Sequence, residues 1–121
     1  MVHVRRGDEF LVVQRTDHVY WHTVAGGVEA GETWAEAARR ELREEAALDA
    51  EVREIGRFDY VREPWEGDPG MACEVRAFAA DAPDRWEPTL NDEHDEYRWC
   101  TLDEAELLLR WPEPKRLLHE V

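Results

Sequence analysis

Residues 25–48 read AGGVEAGETWAEAARRELREEAAL, and this stretch decides the fold of the chain. Gly26 and Gly27 open it with a turn, because glycine allows positive φ and a close approach of the backbone to a ligand. A helix is predicted to start at Thr33, whose hydroxyl can accept from the amide three residues on while Glu36 reaches back to the Thr33 amide. The stretch therefore predicts a glycine turn that leads directly into a capped helix.

The predicted helix carries three glutamates that meet on one face. Glu41, Glu44 and Glu45 stand at positions i, i+3 and i+4, away from the predicted buried stripe. That stripe is predicted to consist of Trp34, Ala35, Ala38, Leu42 and Ala46. Like charges at this spacing oppose each other by about 0.2–0.5 kcal/mol per pair unless a cation or an arginine shares them. Since Mg²⁺ prefers carboxylate oxygens, the cluster indicates a metal site, and the alternative is a solvated helix face in an acidic protein.

The spacing of the whole stretch matches a longer pattern. Glu32 follows Gly26 after five residues, RELREE follows after seven more, and Leu48 stands two residues beyond. This pattern resembles the Nudix box over its full span, from Gly26 to Leu48. The resemblance implies a loop-helix-loop that binds Mg²⁺ or Mn²⁺ and cleaves a nucleoside diphosphate linked to another moiety.

The same resemblance assigns roles to the box residues. It implies that Glu41, Glu44 and Glu45 bind the metal and activate water, and that Arg40 orients them. Ala47 departs from the pattern, because a glycine is usual there and would serve as a left-handed helix C-cap. This departure concerns the shape of the loop, since no ligand side chain is lost.

A second acidic segment is expected to complete the site. Glu93-His94 followed by Tyr97-x-Trp99 resembles the C-terminal signature of many Nudix pyrophosphohydrolases, in which a loop glutamate approaches the metal from opposite the helix. Glu93 is assigned that role, either as a metal ligand or as the base that takes a proton from water. Glu96 is the second candidate for the same role. The branch that this chain most resembles is the dihydroneopterin triphosphate pyrophosphatase-like group. The sequence leaves open whether Glu93 or Glu41 is the general base.

Four residues are predicted to contact the substrate. Gly26 and Gly27 allow the backbone to lie close to the metal and the diphosphate. Arg15 ends the second strand, where Nudix proteins often carry an arginine near the substrate, although a surface arginine at a strand end is the equal alternative. Trp21 precedes the glycine turn and is expected near the entrance of the site, whereas His22 is expected to have a hydrogen-bonded structural role.

The remaining pattern predicts one domain over residues 1–121, an α/β or α+β sandwich, and the Nudix resemblance implies the α/β form. Residues 2–15 read as a hairpin around a Gly-Asp turn, and further strands are predicted at 20–24, 49–60, 71–80 and 97–100. Helices are predicted at 102–110 and from 112 to 121. The expected architecture is a Nudix-type α/β/α sandwich, with a mixed sheet, the box helix on one face and C-terminal helices. The first strand begins abruptly and is interpreted either as short or as lacking part of its edge.

Composition limits the partners and the compartment. Fifteen basic and 29 acidic residues give a net charge of −14, which argues against a nucleic-acid partner because phosphate contacts need a basic patch. The two cysteines are too few for a disulfide framework or a cysteine-based zinc site. No signal-like start and no long apolar run appear, so a cytoplasmic location without membrane insertion is expected. A homodimer is also expected, because edge strands could pair across a two-fold axis and because homodimers are common in the Nudix family.

The predicted function is Mg²⁺-dependent hydrolysis of a nucleoside triphosphate or a dihydroneopterin triphosphate-like substrate, with release of a monophosphate and pyrophosphate. The alternative is a non-catalytic nucleotide-binding module, and such modules usually lose box carboxylates. An isomerase acting on isoprenoid diphosphates would need catalytic cysteines, for which Cys73 and Cys100 are the candidates. Substrate choice would be made by loops such as 16–19, 62–70 and 81–91, whose sequences carry no readable code.

Overall fold

The computed structural model describes residues 1–17, 20–64, 68 and 70–121. In chain order its elements are β1 (Val2–Arg6), β2 (Glu9–Arg15), β3 (Trp21–His22), α1 (Trp34–Ala46), β4 (Arg53–Val61), β5 (Ala72–Asp81), β6 (His94–Cys100), α2 (Leu102–Leu108) and α3 (Pro112–Leu117). A 3₁₀ turn at Leu118–Glu120 follows α3. The predicted loops 16–19 and 62–70 lie partly outside the described residues. None of the described helices is long and apolar enough to cross a membrane.

The six strands form one mixed sheet, as predicted. The order is β3-β2-β1-β5-β4, and β6 pairs along β2. β1 and β2 form the predicted antiparallel hairpin, in which Gly7 takes a φ of 60° at the turn. β1 then pairs in parallel with β5, with Val2 opposite Phe78. The sheet is mixed because this one parallel pair joins two antiparallel halves.

Alternate side chains of β2 point to two different layers. Leu11 and Val13 pack in the same core cluster as Leu42 of α1, whereas Phe10 and Val12 pack in the cluster that contains Leu109. Successive side chains of a strand face opposite sides of the sheet. The helix α1 therefore covers one face and the C-terminal segment covers the other, which confirms the predicted α/β/α sandwich.

The buried stripe of α1 differs from the predicted one in its first turn. Trp34 is 37 % exposed and Ala35 is exposed, while Ala37 is buried instead. Trp34 is exposed because the first turn of α1 borders a cleft. In this cleft the Trp34 ring lies 5.1 Å from the Arg76 guanidinium carbon. The helix ends at Ala47, which takes the left-handed conformation with φ 60° and ψ 35°.

The C-terminal elements differ from the prediction in their bounds. The strand predicted at 97–100 begins earlier, at His94, so the Glu93-His94 pair marks the start of β6. The first C-terminal helix stops at Leu108 and the second at Leu117, each before its predicted end. The earlier start of β6 matters for the site. It brings Glu93 next to the end of β2, because His94 is the partner of Arg15 in the ladder.

Candidate active site

The predicted helix start is present, whereas the turn before it lies at Ala30-Gly31, where Gly31 takes a φ of 84°, and not at Gly26 and Gly27. Thr33 Oγ1 accepts from the Glu36 amide at 3.1 Å, and Glu36 Oε1 accepts from the Thr33 amide at 2.9 Å, which completes the capping box. The carboxyl group of Glu41 lies directly against the Cα of Gly26, since a Cβ added there would come within 2.1 Å of Glu41 Cδ. Any side chain at Gly26 would therefore displace the Glu41 carboxylate.

Arg40 holds several parts of the site together. Its guanidinium donates to both oxygens of Glu32 at 2.8 and 3.0 Å, to Glu41 Oε1 at 2.7 Å and to Glu44 Oε2 at 3.3 Å. It also donates to the carbonyl of Gly27 at 2.8 Å. The hydrogen bonds that Arg40 donates to Glu32 raise the pKa of Arg40, and they lower the pKa of Glu32. The planar fork of the arginine thereby ties the Gly27 backbone to the helix face.

The three box glutamates, which were predicted to meet on one face of the helix, differ in their depth. The Glu44 side chain is 55 % exposed and that of Glu41 is 13 % exposed, whereas Glu45 is buried with 1 % exposure. Glu45 Oε1 accepts from the amide of Ala25 at 3.3 Å, and its Oε2 has no hydrogen-bond partner among the described residues. The carboxylates therefore run from the surface into the core.

The environment of Glu45 opposes a negative charge. Burial, as the largest cause, and the nearby carboxylates of Glu41 and Glu93 together raise the pKa of Glu45 to about 10. A buried carboxylate without a compensating partner is costly, and such groups are usually paired with a cation. This part of the site therefore has the charge and the unpartnered oxygen that a divalent cation would satisfy.

The second acidic segment meets the box at this buried end. Glu45, Glu93 and His94 each offer one donor atom, and these atoms all lie within 4.8 Å of one another. The backbone fixes this approach, because the amide of Thr16 donates to the carbonyl of Glu93 at 3.0 Å. Burial raises the pKa of Glu93, as does the charge of Glu41. The structure thus brings Glu93 to Glu45, while Glu44 is directed toward Arg40.

The segment between β5 and β6 is anchored at two points before it reaches Glu93. The amide of Thr89 donates to the carbonyl of Ala46, in the last turn of α1, at 3.0 Å. Glu87 Oε2 accepts from the Tyr97 hydroxyl at 3.0 Å and from the Trp99 indole at 2.9 Å, which fixes the segment to β6. Helix α1 and the segment that carries Glu93 are therefore joined directly.

A cleft of about 760 Å³ opens beside these carboxylates. Such a volume suits a small-molecule ligand, since ligand pockets span roughly 300–1,000 Å³. The predicted residues Arg15, Gly26 and Gly27 line it, together with Glu41. Its aromatic lining comprises Tyr20, His22, Trp34, Phe58, Tyr60, Phe78 and Trp111. Arg15 is held there by Asp17, to which it donates from Nε at 3.1 Å and from a terminal nitrogen at 3.0 Å.

Trp21 lies away from this cleft. Its ring packs with the cluster on the α2 side, 4.9 Å from the Arg98 guanidinium carbon. The reason is strand alternation, which sends Tyr20 and His22 to the cleft side and Trp21 to the other side. His22 is edge-on to Trp111 at 5.2 Å, and its Nδ1 has no hydrogen-bond partner among the described residues. The prediction that Trp21 lies at the entrance of the site is therefore wrong. The alternation of side chains along the strand could have shown that Trp21 and His22 face opposite sides of the sheet.

The two cysteines lie in different places. Cys100 is buried at 3 % exposure in the cluster under α2, and Cys73 lines the cleft wall. Burial raises the pKa of the Cys100 thiol, so this side chain stays protonated and serves packing. The pair of cysteines does not meet in one site.

Comparisons with known proteins identify the family of this chain. The NUDIX domain model matches residues 1–121. The asymmetrical bis(5'-nucleosyl)-tetraphosphatase of Sus scrofa is 33% identical over 121 residues, covering 93% of this chain and 77% of that protein. The dihydroneopterin triphosphate diphosphatase of Escherichia coli K12 is 36% identical over 52 residues, covering 43% of this chain and 35% of that protein.

The solved structures share the fold. The structure of the E. coli dihydroneopterin triphosphate pyrophosphohydrolase matches with a TM-score of 0.87 at 22% identity, over 98% of this chain and 90% of that one. A glycine turn, a capped carboxylate helix and a mixed sheet with helices on both faces define a hydrolase fold of the Nudix class. The chain belongs to the NUDIX domain family and is a Nudix hydrolase.

Proposed function

We propose that this Nudix hydrolase cleaves a phosphoanhydride bond of a nucleoside triphosphate, or of a related triphosphate such as dihydroneopterin triphosphate, with Mg²⁺ as cofactor. The products are a monophosphate and pyrophosphate. The observation that supports this most directly is the convergence of Glu41, Glu45 and Glu93 beside Gly26, at the edge of a cleft large enough for a nucleotide.

The donor set fits a hard divalent cation. Glu45 and Glu93 would hold it at the buried end, Glu41 lies beside Glu45, and Glu44 would join from the surface. When bound, such an ion neutralises phosphate charge and stabilises the leaving group. Mn²⁺ can replace Mg²⁺ in a carboxylate site of this kind.

The chain's own residues supply positioning and the proton acceptor. Arg40 fixes Glu41 through the 2.7 Å hydrogen bond, so this carboxylate is committed to an ion pair. Glu93 lies beside Glu45, and burial and the charge of Glu41 raise its pKa, whereas a bound cation would oppose that rise. Both Glu93 and Glu41 are therefore kept as candidates for the general base. Arg15, on the strand that pairs with His94, would meet a phosphate with its fork of donors.

A second candidate substrate is a dinucleoside tetraphosphate. The relative that acts on such a compound by name aligns over 93% of this chain. The cleft also offers aromatic rings in two places, with Tyr20 and Trp111 edge-on at 4.9 Å in one, and Trp34 in the other. Both substrates contain the same phosphoanhydride, and they differ in whether a second nucleoside follows.

A substrate panel with product analysis tests the proposal. Nucleoside triphosphates, dihydroneopterin triphosphate and dinucleoside tetraphosphates are each incubated with Mg²⁺ and with EDTA, and products are identified by anion-exchange chromatography. We expect turnover only with Mg²⁺, and loss of about two or more orders of magnitude in Glu44→Gln.

The matched control is Glu51→Gln, because the Glu51 side chain is 93 % exposed and lies outside the carboxylate cluster. It should keep wild-type turnover. Hydrolysis that persists in EDTA, or wild-type turnover in Glu44→Gln, would contradict the proposed mechanism. Release of a nucleoside triphosphate from the dinucleoside compound, with no cleavage of the triphosphates, would favour the second candidate.

A further inference from the structure

His94 is a buried imidazole that the proposed mechanism does not use. It is 4 % exposed, and its Nδ1 has no hydrogen-bond partner among the described residues. This nitrogen lies 3.8 Å from Glu45 Oε1, whose own neighbour Oε2 is also unpartnered. Buried polar atoms without partners are rare in folded proteins, and each one needs an explanation.

The separation of these atoms is too long for a hydrogen bond. Hydrogen bonds between nitrogen and oxygen span about 2.7–3.2 Å. Two ligands of one metal ion, each with a bond of about 2.1 Å, lie about 3.0–4.2 Å apart for angles from 90° to 180°. The 3.8 Å distance between His94 Nδ1 and Glu45 Oε1 falls within the second range. The geometry is that of two ligands around a shared centre.

We propose that His94 is a metal ligand, which supplies a nitrogen to a buried site completed by Glu45 and Glu93, and that this site favours Mn²⁺ or another first-row transition ion over Mg²⁺. Imidazole nitrogen suits transition ions, whereas Mg²⁺ prefers oxygen ligands. The three donor atoms lie within 4.8 Å of one another, and two of the three side chains are more than nine-tenths buried. The role of this ion in catalysis rests on the proposed function, but its binding does not.

Both sides of His94 support this assignment. Glu45 approaches from α1, and Glu93 precedes His94 on the chain, so two carboxylates face the imidazole from different elements. Arg15, the ladder partner of His94, directs its guanidinium to Asp17.

Pulsed electron paramagnetic resonance with Mn²⁺ tests the proposal without any nucleotide. The purified protein is loaded with less than one equivalent of Mn²⁺, and electron spin echo modulation from directly bound nitrogen is recorded. Wild type should show ¹⁴N modulation, which should change to the ¹⁵N pattern when histidine is labelled with ¹⁵N. An oxygen-only spectrum in wild type would overturn the proposal, regardless of whether any variant folds.

Two variants assign the nitrogen to its residue. His94→Gln should lose the modulation and bind Mn²⁺ roughly tenfold or more weakly, with a smaller change for Mg²⁺. The matched control His119→Gln removes a histidine that pairs with Glu106 on the exposed 3₁₀ turn, and it should keep both. Modulation that survives in His94→Gln, or that disappears in His119→Gln, would overturn the assignment. Since hydrolysis is not measured, failure of the proposed function would leave these readings unchanged.

Discussion

Replacing Glu45 with glutamine should stabilise the metal-free protein and weaken its response to metal. Glu45 is 1 % exposed, and burial raises its pKa from 4.5 to about 10. A neutral amide needs no proton uptake on folding, whereas Glu45 must bind a proton at pH 7 to enter the core uncharged. The oxygen of the neutral amide can still accept the hydrogen bond that Glu45 Oε1 receives from the Ala25 amide. A residue that favours metal binding over folding is expected at an active site.

The magnitude follows from the difference in proton binding. At pH 7 the unfolded chain, with a Glu45 pKa near 4.5, has lost this proton, whereas the folded chain keeps it. Each pKa unit corresponds to about 1.4 kcal/mol, so wild type loses up to about 3 kcal/mol of stability at pH 7 relative to a neutral side chain. A raised folded pKa means that this stability is complete below pH 4.5 and is lost as the pH rises toward 10.

Urea unfolding at two pH values with EDTA or Mg²⁺ measures this effect. In EDTA at pH 7, Glu45→Gln should have a higher free energy of unfolding than wild type, and at pH 4.5 most of the difference should disappear. Added Mg²⁺ should stabilise wild type more than Glu45→Gln, because only a folded site binds the ion. The exposed control Glu51→Gln should differ from wild type by less than about 0.5 kcal/mol. Equal stabilities of Glu45→Gln and wild type in EDTA at pH 7 would refute the reasoning.

Three other substitutions have defined outcomes. Ala47→Gly should raise the free energy of unfolding by about 0.5–1 kcal/mol in thermal or urea unfolding, because Ala47 takes a φ of 60° that glycine adopts without strain; a loss of stability would contradict this. His3→Gln should reduce the destabilisation between pH 7 and pH 5 by about 2 kcal/mol in urea titrations. Burial lowers the pKa of His3 to about 4, so the unfolded chain takes up the proton first and stability is lost as the pH falls below 6.5. If the free energy of unfolding of His3→Gln depended on pH as that of wild type does, this explanation would be excluded. Arg40→Lys should lower kcat by roughly 10–100-fold with normal folding by circular dichroism, because an ammonium cannot make the bonds to Glu32, Glu41 and Gly27 together; wild-type kcat would show that the fork is dispensable.

Local sequence patterns correctly predicted the elements that depend on residues close together in the chain. The turn at Gly7, the capping box at Thr33 and the strands of the first hairpin depend on residues close in sequence, and all three were correct. The parallel pairing of β1 with β5 joins distant segments, and no local pattern specifies it. The resemblance implied a mixed sheet, but it did not specify which strands pair in parallel.

The sequence predicted which residues form the site more accurately than it predicted how deeply each one is buried. The spacing of Glu41, Glu44 and Glu45 predicts that they share one face of the helix, but it does not predict how deeply each one is buried, since helical periodicity gives direction but not depth. Depth depends on what covers the helix, and here the start of β6 covers Glu45 with His94. The same cause explains Trp21, whose side of the sheet depends on where β3 pairs with β2.

The double anchor of the segment before β6 has a consequence for engineering this protein. Glu87 fixes it to β6 and Thr89 fixes it to the last turn of α1, so its length sets the spacing between two halves of the site. Inserting or deleting one residue after Thr89 would change that spacing. Grafts that alter substrate preference should therefore exchange the aromatic walls of the cleft and leave this spacer at its natural length.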